Sequence, residues 1–164
     1  MLNAGAMTSP ADLKQLAPTG QLRGGVVAAP AASAFFAIRE GKGEVRGVTV
    51  DLIRSFAAAL KLPLALQIYD NSGQVTDAVA SGDCDVAFMP QDAERAKRVD
   101  FGPAYYFIES TYLVPAGSTI RTIDEVNRPG RRIVAISNTT TARSARRTAP
   151  QASVEEVPSV DQMT

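Results

Sequence analysis

The sequence predicts an α/β fold made of two lobes of parallel strands joined by an extended segment. Apolar, strand-like segments alternate with helix-like segments from residue 22 onward, and this alternation is typical of parallel sheets built from right-handed crossovers. The same alternation restarts after the turn-forming residues 115–118, which indicates a second lobe. The 164 residues are 45% hydrophobic, and they contain no apolar run of the ~20 residues that a membrane helix needs.

The first predicted elements form an arm and one lobe. Ser9-Pro10-Ala11-Asp12 predicts a short helix, because it combines a serine cap, a proline at the first helical position and an acid in the first turn. The clearest helix lies at Thr49–Leu60, where apolar residues repeat at helical spacing. Its predicted apolar face consists of Leu52, Ile53, Phe56, Ala57 and Leu60. The other predicted elements are strands at Leu22–Ala29, Leu64–Tyr69 and Asp85–Met89, and a helix capped by Asn71-Ser72 and stopped by Ser81-Gly82.

The second group of elements follows an extended stretch. Asp92–Lys97 predicts a helical turn, and the aromatic and β-branched residues of Phe107–Val114 favour an extended backbone. The remaining predicted elements are a capping box at Thr122-Ile123-Asp124-Glu125, a strand at Arg132–Ile136, a helix at Thr139–Arg147 and a strand at Val154–Val157.

The composition excludes several classes of function. The sequence contains no histidine, which excludes Ser-His-Asp and Cys-His nucleophile arrangements and histidine-ligated metal sites. Its 17 basic and 17 acidic residues cancel, so the net charge does not draw the molecule to nucleic acid or to an anionic membrane. Cys84, the single cysteine, is predicted to be a packed core thiol. The motif Gly41-x-Gly43-x-x-x-Gly47 has the wrong spacing for a dinucleotide site and indicates a surface turn. We therefore expect no cofactor and no metal ion.

The two ends of the sequence carry different signals. Met1–Met7 has no basic region followed by an apolar region, so no secretory signal is recognised. Ser159-Val160-Asp161-Gln162 matches a capping box, but only two residues follow it. Because a helix of fewer than two turns is not stable alone, we expect this polypeptide to be part of a longer one.

One arginine and one hydroxyl-rich segment are candidates for ligand binding. Arg95 follows a predicted strand and a tight turn, at the edge where parallel sheets bind ligands, and an arginine there can hold a carboxylate through two parallel hydrogen bonds. The alternative is a surface arginine paired with Asp92 or Glu94. Asn138-Thr139-Thr140-Thr141 lies between a strand and a helix, where hydroxyls and backbone N–H groups can bind an anion. Plain N-capping is the alternative there.

Three segments resemble one protein family. They are Gly47–Leu52 (GVTVDL), Ser81–Val86 (SGDCDV) and Glu94–Tyr106 (ERAKRVDFGPAYY). In this order they resemble the family 3 extracellular solute-binding proteins, the amino-acid-binding components of bacterial ABC importers. The resemblance implies the type II periplasmic-binding-protein fold, in which two α/β lobes with parallel sheets enclose a ligand. It also implies that the second lobe and the return of the chain to the first lobe are incomplete in this sequence.

The resemblance assigns roles by position. Arg95 would grip the carboxylate of the ligand, and Thr139 and Thr140 would meet the same group from the second lobe. Phe36 would line the cleft, and Phe107–Val114 would be the outgoing hinge strand. The implied division is an N-terminal arm (1–19), a first lobe (20–108), and a hinge strand with a partial second lobe (109–164).

Two residues depart from the family pattern. Pro90 stands where the family has a serine or threonine that helps to hold the ligand, and proline offers neither a hydroxyl nor an N–H. Asp92 stands where the family has a threonine, and it adds negative charge beside Arg95. Both are therefore candidate ligand-binding residues, and they favour a cationic or otherwise modified amino-acid-like ligand.

The function implied by the resemblance is that of a substrate-binding protein of an ABC transporter. It would bind a small amino-acid-like carboxylate by hinge closure and deliver it to a membrane permease, as a periplasmic monomer without catalytic activity. One alternative is a cytoplasmic ligand-sensing domain of the same fold, which the missing secretory signal favours. Another alternative is an enzyme, since some dehydratases of cyclic acids resemble this family, but the sequence shows no evident acid-base pair.

Overall fold

A mixed five-stranded sheet lies at the centre of the first part of the chain. The elements of this part are α1 (Pro10–Leu16), β1 (Leu22–Ala29), β2 (Ala37–Glu40), β3 (Glu44–Arg46), α2 (Val48–Leu60), β4 (Leu64–Tyr69), α3 (Ser72–Ser81) and β5 (Val86–Ala87). β1 runs parallel to β2, β4 and β5, whereas β3 runs antiparallel to β2. Most residues of β1 are buried on both faces, as expected for a parallel strand covered by helices.

The computed structural model describes residues 9–29, 35–40 and 43–163. The chain forms two units, Met1–Asp100 and Phe101–Thr164. The helices and strands of the second unit are α4 (Ile123–Val126), β6 (Arg132–Ile136), α5 (Thr140–Thr148) and β7 (Ser153–Val157). The predicted boundaries of the arm and the lobes stay predictions. Met1–Met7 and the first two residues of the glycine motif, Gly41 and Lys42, lie outside the described residues.

Two adjacent glycines let β1 pack closely against both helices of the first unit. A Cβ atom at Gly24 would lie 2.9 Å from Cδ1 of Ile53 in α2, and one at Gly25 would lie 2.7 Å from Cγ2 of Val75 in α3. Successive residues of a strand face opposite sides of the sheet. The backbone of β1 is therefore in direct contact with α2 on one side and with α3 on the other.

The buried face of α2 differs from the predicted one. Val50, Ile53 and Ala57 are buried, but Leu52, which was predicted to share their face, is 37% exposed. The reason is helix geometry: Ile53 lies directly over Gly24 of β1, and Leu52, about 100° away around the helix axis, faces away from the sheet. The core cluster of this unit consists of Val26, Ala37, Val45, Val50 and Ile53, with Leu64, Leu66, Ile68, Val86 and Phe88 packed around it.

The caps of the first unit confirm the predicted helix starts and stops. Ser9 and Asp12 form a reciprocal capping box at the start of α1. Oδ1 of Asn71 accepts hydrogen bonds from the backbone N–H groups of Gly73 and Gln74 at the start of α3 (both 2.9 Å). Gly82 ends α3 in the left-handed conformation, with φ of 80°, which glycine adopts without steric cost.

Three predicted elements are shorter or less regular than expected. β5 contains only Val86 and Ala87 rather than Asp85–Met89, because the Asp85 carboxylate binds the backbone N–H and guanidinium of Arg23 and Pro90 lacks an N–H for further pairing. Residues 107–114 pair with no other strand among the described residues. The helix predicted after Ser159 is a single 3₁₀ turn, Val160–Gln162.

The second unit is a β-α-β arrangement. β6 and β7 pair in parallel, from Arg132 opposite Ser153 to Ile136 opposite Val157, and α5 packs against both strands. The predicted capping box of α4 is confirmed: the carboxylate of Glu125 accepts the backbone N–H of Thr122 (3.1 Å). The core of this unit consists of Val126, Ile133, Ala145 and Ala149, with Tyr112, Ile120, Ala152 and Val154 around it.

Candidate ligand-binding site

Most of the candidate ligand-binding residues lie at one edge of the first sheet. Because β1, β4 and β5 are parallel, their carboxyl ends meet at the same edge, where α/β sheets bind ligands. β4 leads there into Asn71 and the first turn of α3, and β5 leads into the segment 88–94. Arg95 follows that segment, at the start of a 3₁₀ turn.

The guanidinium of Arg95 connects these two loops. Its Nη1 donates a hydrogen bond to the backbone oxygen of Pro90 (2.8 Å), and its Nη2 donates one to Oγ of Ser72 (2.8 Å). Arg95 is only 3% exposed and Ser72 is 6% exposed. A buried cation is thus held between a backbone carbonyl and a hydroxyl, rather than extended into solvent as in the surface-arginine alternative.

Asp92 closes the turn that carries Arg95. Its Oδ1 accepts the backbone N–H groups of Glu94 and Arg95 (both 3.0 Å), and its backbone oxygen accepts the N–H of Ala96 (3.0 Å). A short oxygen-bearing side chain is suited to this capping role. The aspartate therefore has a structural reason to stand here, and its charge lies next to the backbone of Arg95.

Two features that attract an anion, the Arg95 guanidinium and a helix amino end, lie together at this edge. Its partner Ser72 is the first residue of the ten-residue helix α3, so the guanidinium lies at the amino end of that helix. The amino end of a helix carries a partial positive charge of roughly +0.5. The fixed charge of Arg95 and the helix end thus act in the same direction at this edge.

Phe36 lies at the same edge of the sheet by backbone register. It immediately precedes β2, whose first residue Ala37 is opposite Ala28 near the carboxyl end of β1. Phe36 is half-buried, and its ring contacts that of Phe35 edge to face, with centroids 5.2 Å apart. The structure thus places Phe36, Pro90, Asp92 and Arg95 along one edge, with direct hydrogen bonds among the last three.

Thr139 and Thr140 begin α5 in the second unit. Oγ1 of Thr139 accepts the backbone N–H of Ala142 (3.2 Å) and donates to the backbone oxygen of Ile136 (2.6 Å). Thr139 is therefore the N-cap of α5 and is nearly buried, while Thr140 is half-buried as the first helical residue. The hydroxyl of Thr139 therefore links the first turn of α5 to the last residue of β6 through hydrogen bonds.

Glu156 supports the turn before Thr139. Its Oε2 accepts the backbone N–H of Asn138 (3.3 Å), which has a left-handed backbone with φ of 56°. Its other carboxylate oxygen forms an ion pair with Arg146 of α5. Arg146 therefore belongs to a structural contact between β7 and α5, and it lies in the last turn of the helix, where a positive charge is favourable.

Sequence reasoning missed Ser72 and Glu156 as supporting residues. The sequence identified Asn71-Ser72 as a helix cap, but the structure gives that role to Asn71 and leaves the Ser72 hydroxyl to Arg95. The available signal was position: Ser72 follows β4 and Glu156 lies near the end of β7, and both strands are parallel to their neighbours.

The single cysteine and the acidic side chains form no further reactive site among the described residues. Cys84 is buried, as predicted for a core thiol, and its burial raises the pKa of the thiol to about 11, so the thiol is protonated at neutral pH. In the described ranges, no three histidine, cysteine or acidic side chains are grouped closely enough to hold a metal ion. No helix in the same ranges has the length and apolar character to cross a membrane.

Comparison with known proteins identifies the family. The model of the bacterial extracellular solute-binding proteins, family 3, matches residues 26–159. The ABC transporter glutamine-binding protein GlnH of Bacillus subtilis (strain 168) is 30% identical over 121 residues, which are 70% of this chain and 43% of that protein. The chain therefore spans less than half the length of this curated relative.

Solved structures share the fold. An ancestral amino acid-binding protein that is a precursor of cyclohexadienyl dehydratase matches with a TM-score of 0.73 and 22% identity, covering 93% of this chain and 67% of that one. A putative ABC transporter binding component of Wolinella succinogenes DSM 1740, complexed with lysine, matches with a TM-score of 0.69 and 22% identity, covering 88% and 62%. This chain has the α/β fold of type II periplasmic binding proteins and belongs to the bacterial extracellular solute-binding proteins, family 3.

Proposed function

We propose that this chain recognises the carboxylate of an amino-acid-like ligand as part of the substrate-binding protein of an ABC transporter. The observation that carries the proposal is the buried guanidinium of Arg95 at the carboxyl edge of the first sheet. A planar guanidinium can donate two parallel hydrogen bonds to a carboxylate, and the amino end of α3 adds favourable potential there.

The neighbouring residues define the proposed contacts of the ligand. Phe36 supplies an apolar surface at the same edge, and Pro90 and Asp92 flank the anchor in place of hydroxyl-bearing residues. Because the Asp92 carboxylate adds negative charge next to the anchor, we expect the ligand to carry a positive group besides its carboxylate. An α-ammonium group or a cationic side chain would meet this requirement.

The second unit contributes through the start of α5. Thr139 and Thr140 stand at a helix amino end, which suits a carboxylate oxygen. In the proposed mechanism both units contact one ligand, and the ligand shifts an open population toward a closed one because it binds the closed state better. The closed, loaded protein then delivers its ligand to a membrane permease, which places the protein outside the cytoplasmic membrane.

A ligand screen tests this proposal directly. The full 164-residue chain is heated in the presence of each common L-amino acid, beginning with L-glutamine and L-lysine, and its melting temperature is recorded. A ligand that binds only the folded state stabilises it by RT ln(1 + [L]/Kd). For each amino acid that raises the melting temperature, its decarboxylated amine is the control and should have no effect. Absence of any shift across the whole set would contradict the proposal.

Arg95→Ala tests the role of the anchor. Removing one partner of a buried charge pair costs about 3–5 kcal/mol, so the affinity for the amino acid found in the screen should fall by two to three decades or more. The matched control is Arg98→Ala, because Arg98 is exposed and pairs with Asp77 (2.8 Å). Calorimetry that shows a loss of less than about threefold for Arg95→Ala would remove Arg95 from the site.

A further inference from the structure

We infer that Ser72 is a positioning residue for Arg95. Its buried hydroxyl fixes the orientation in which the guanidinium meets a carboxylate, an inference that rests on the proposed function of Arg95 as the anchor. Ser72 is separated from Arg95 by 23 positions in the sequence, and the distance from Nη2 of Arg95 to Oγ of Ser72 is 2.8 Å.

The hydroxyl of Ser72 is available for Arg95 because the helix is capped by another residue. Asn71 provides the N-cap of α3 through its Oδ1 atom. The side-chain oxygen of a serine at a helix start commonly accepts a hydrogen bond from a backbone N–H group of the same helix. Here the Ser72 side chain instead accepts a hydrogen bond from a cation.

The backbone around Ser72 is held in place from two directions. Oγ1 of Thr76 donates a hydrogen bond to the backbone oxygen of Ser72 (2.6 Å). One turn along the helix, Val75 packs against the bare backbone of Gly25. A hydroxyl on this fixed backbone, together with the carbonyl of Pro90, holds the guanidinium at both terminal nitrogens. Fixing the anchor before binding reduces the conformational entropy that the ligand must otherwise remove.

The absence of charge on Ser72 is as important for ligand binding as its hydrogen bond. A hydroxyl orients the guanidinium but leaves its positive charge uncompensated by this contact. A carboxylate at position 72 would form an ion pair with Arg95 and compete with the carboxylate of the ligand. Orientation and charge can therefore be separated by substitution at this one position.

The first test uses the ligand-free protein. Side-chain ¹⁵N spectra of the full chain report whether the Arg95 guanidinium rotates, because a guanidinium held at both ends gives separate resonances for its terminal nitrogens. We expect separate resonances in the unchanged protein and in Ser72→Thr, and averaged resonances in Ser72→Ala. Ser81→Ala is the control, since Ser81 lies at the other end of α3 and should leave the Arg95 resonances unchanged. Separate resonances in Ser72→Ala would overturn the inference.

The second test measures affinity and stability together. For L-glutamine or L-lysine, Ser72→Ala should bind about tenfold more weakly, the effect of losing one hydrogen bond to a charged group. Ser72→Thr keeps the hydroxyl and should restore binding. Ser72→Asp should bind still more weakly than Ser72→Ala but should not melt at a lower temperature than Ser72→Ala. A purely structural role predicts instead that affinity follows melting temperature through the whole series.

The two proposals fail in different ways. If no amino acid binds the unchanged protein, the proposed function is wrong, and the ¹⁵N spectra still decide whether Ser72 orients Arg95. If the unchanged protein and Ser72→Ala bind an amino acid equally well, the proposed function stands and the role of Ser72 is rejected.

Discussion

Arg95 occupies a position where a buried positive charge must be stabilised by oxygen atoms. Removing a guanidinium from water costs several kcal/mol, and each hydrogen bond from a charged donor returns about 1.5–3 kcal/mol. The sequence was sufficient to single out Arg95, because it follows a strand of a predicted parallel sheet. Its partner Ser72 could not be predicted, since only the pairing of β1 with both β4 and β5 brings the two loops to one edge.

Thr49 presents the opposite situation, a buried polar group without compensation. It is 1% exposed, and its Oγ1 has no hydrogen-bond partner among the described residues. Valine has nearly the same shape without the hydroxyl. Because an unpaired buried hydroxyl is destabilising, we expect Thr49→Val to raise the free energy of unfolding by about 1 kcal/mol, as measured by urea denaturation.

The matched control for this prediction is Thr76→Val on α3. Thr76 is also 1% exposed, but its Oγ1 donates to the backbone oxygen of Ser72 (2.6 Å). Its replacement should therefore lower the free energy of unfolding by about 1 kcal/mol. Equal effects of the two substitutions would show that hydrogen bonding does not distinguish these sites.

At the scale of elements, the regular strands and helices were predictable where local pattern and tertiary contacts agree. The bounds of β4 and β6 match the prediction because each is a mainly apolar segment that pairs along its whole length. β5 is shorter because the Asp85 side chain binds Arg23, a contact between distant residues that no local pattern contains. The segment 107–114 has the composition of a strand, but a strand also requires a partner, and local sequence cannot supply one.

The short helix α4 depends on its capping box. The carboxylate of Glu125 accepts the backbone N–H groups of Arg121 (2.6 Å) and Thr122 (3.1 Å), and these bonds lower the pKa of Glu125 below its ordinary value of 4.5. A carboxylate whose pKa is lowered by folding stabilises the protein above its unfolded-state pKa. This contribution is lost as the pH falls through the folded-state pKa.

We therefore expect the stability of Glu125→Gln to fall less steeply below pH 4.5 than that of the unchanged protein. The measurement is the melting temperature at several pH values. At neutral pH the variant should melt at a lower temperature than the unchanged protein, because the charge-assisted bonds are weakened. Glu155→Gln is the control, since Glu155 lies outside the capping box on β7. An unchanged pH profile in Glu125→Gln would show that the capping box does not contribute.

At the scale of the whole molecule, each unit has its own core, and residues 101–121 contain neither helix nor strand. This segment carries the most exposed large apolar side chains, Phe107 at 87% and Leu113 at 100%. We expect brief digestion with chymotrypsin to cut first at these residues, because proteases cleave exposed, irregular backbone. Mass spectrometry of the fragments should show products that end near residues 107–113, and Phe107→Ala should remove the cut after residue 107. First cuts within β1 or α2 would contradict this expectation.

The paired glycines of β1 have a consequence for the start of α3. At Gly24 and Gly25 the layer between α2 and α3 is only as thick as a peptide backbone. A methyl group at position 25 would overlap with Val75 and would displace α3, including its first residue Ser72, away from the sheet. The position of the Arg95 guanidinium therefore depends on Gly25, a residue in the middle of the sheet. Because Gly25 has no side chain, α3 can approach β1 closely enough to place Ser72 against Arg95.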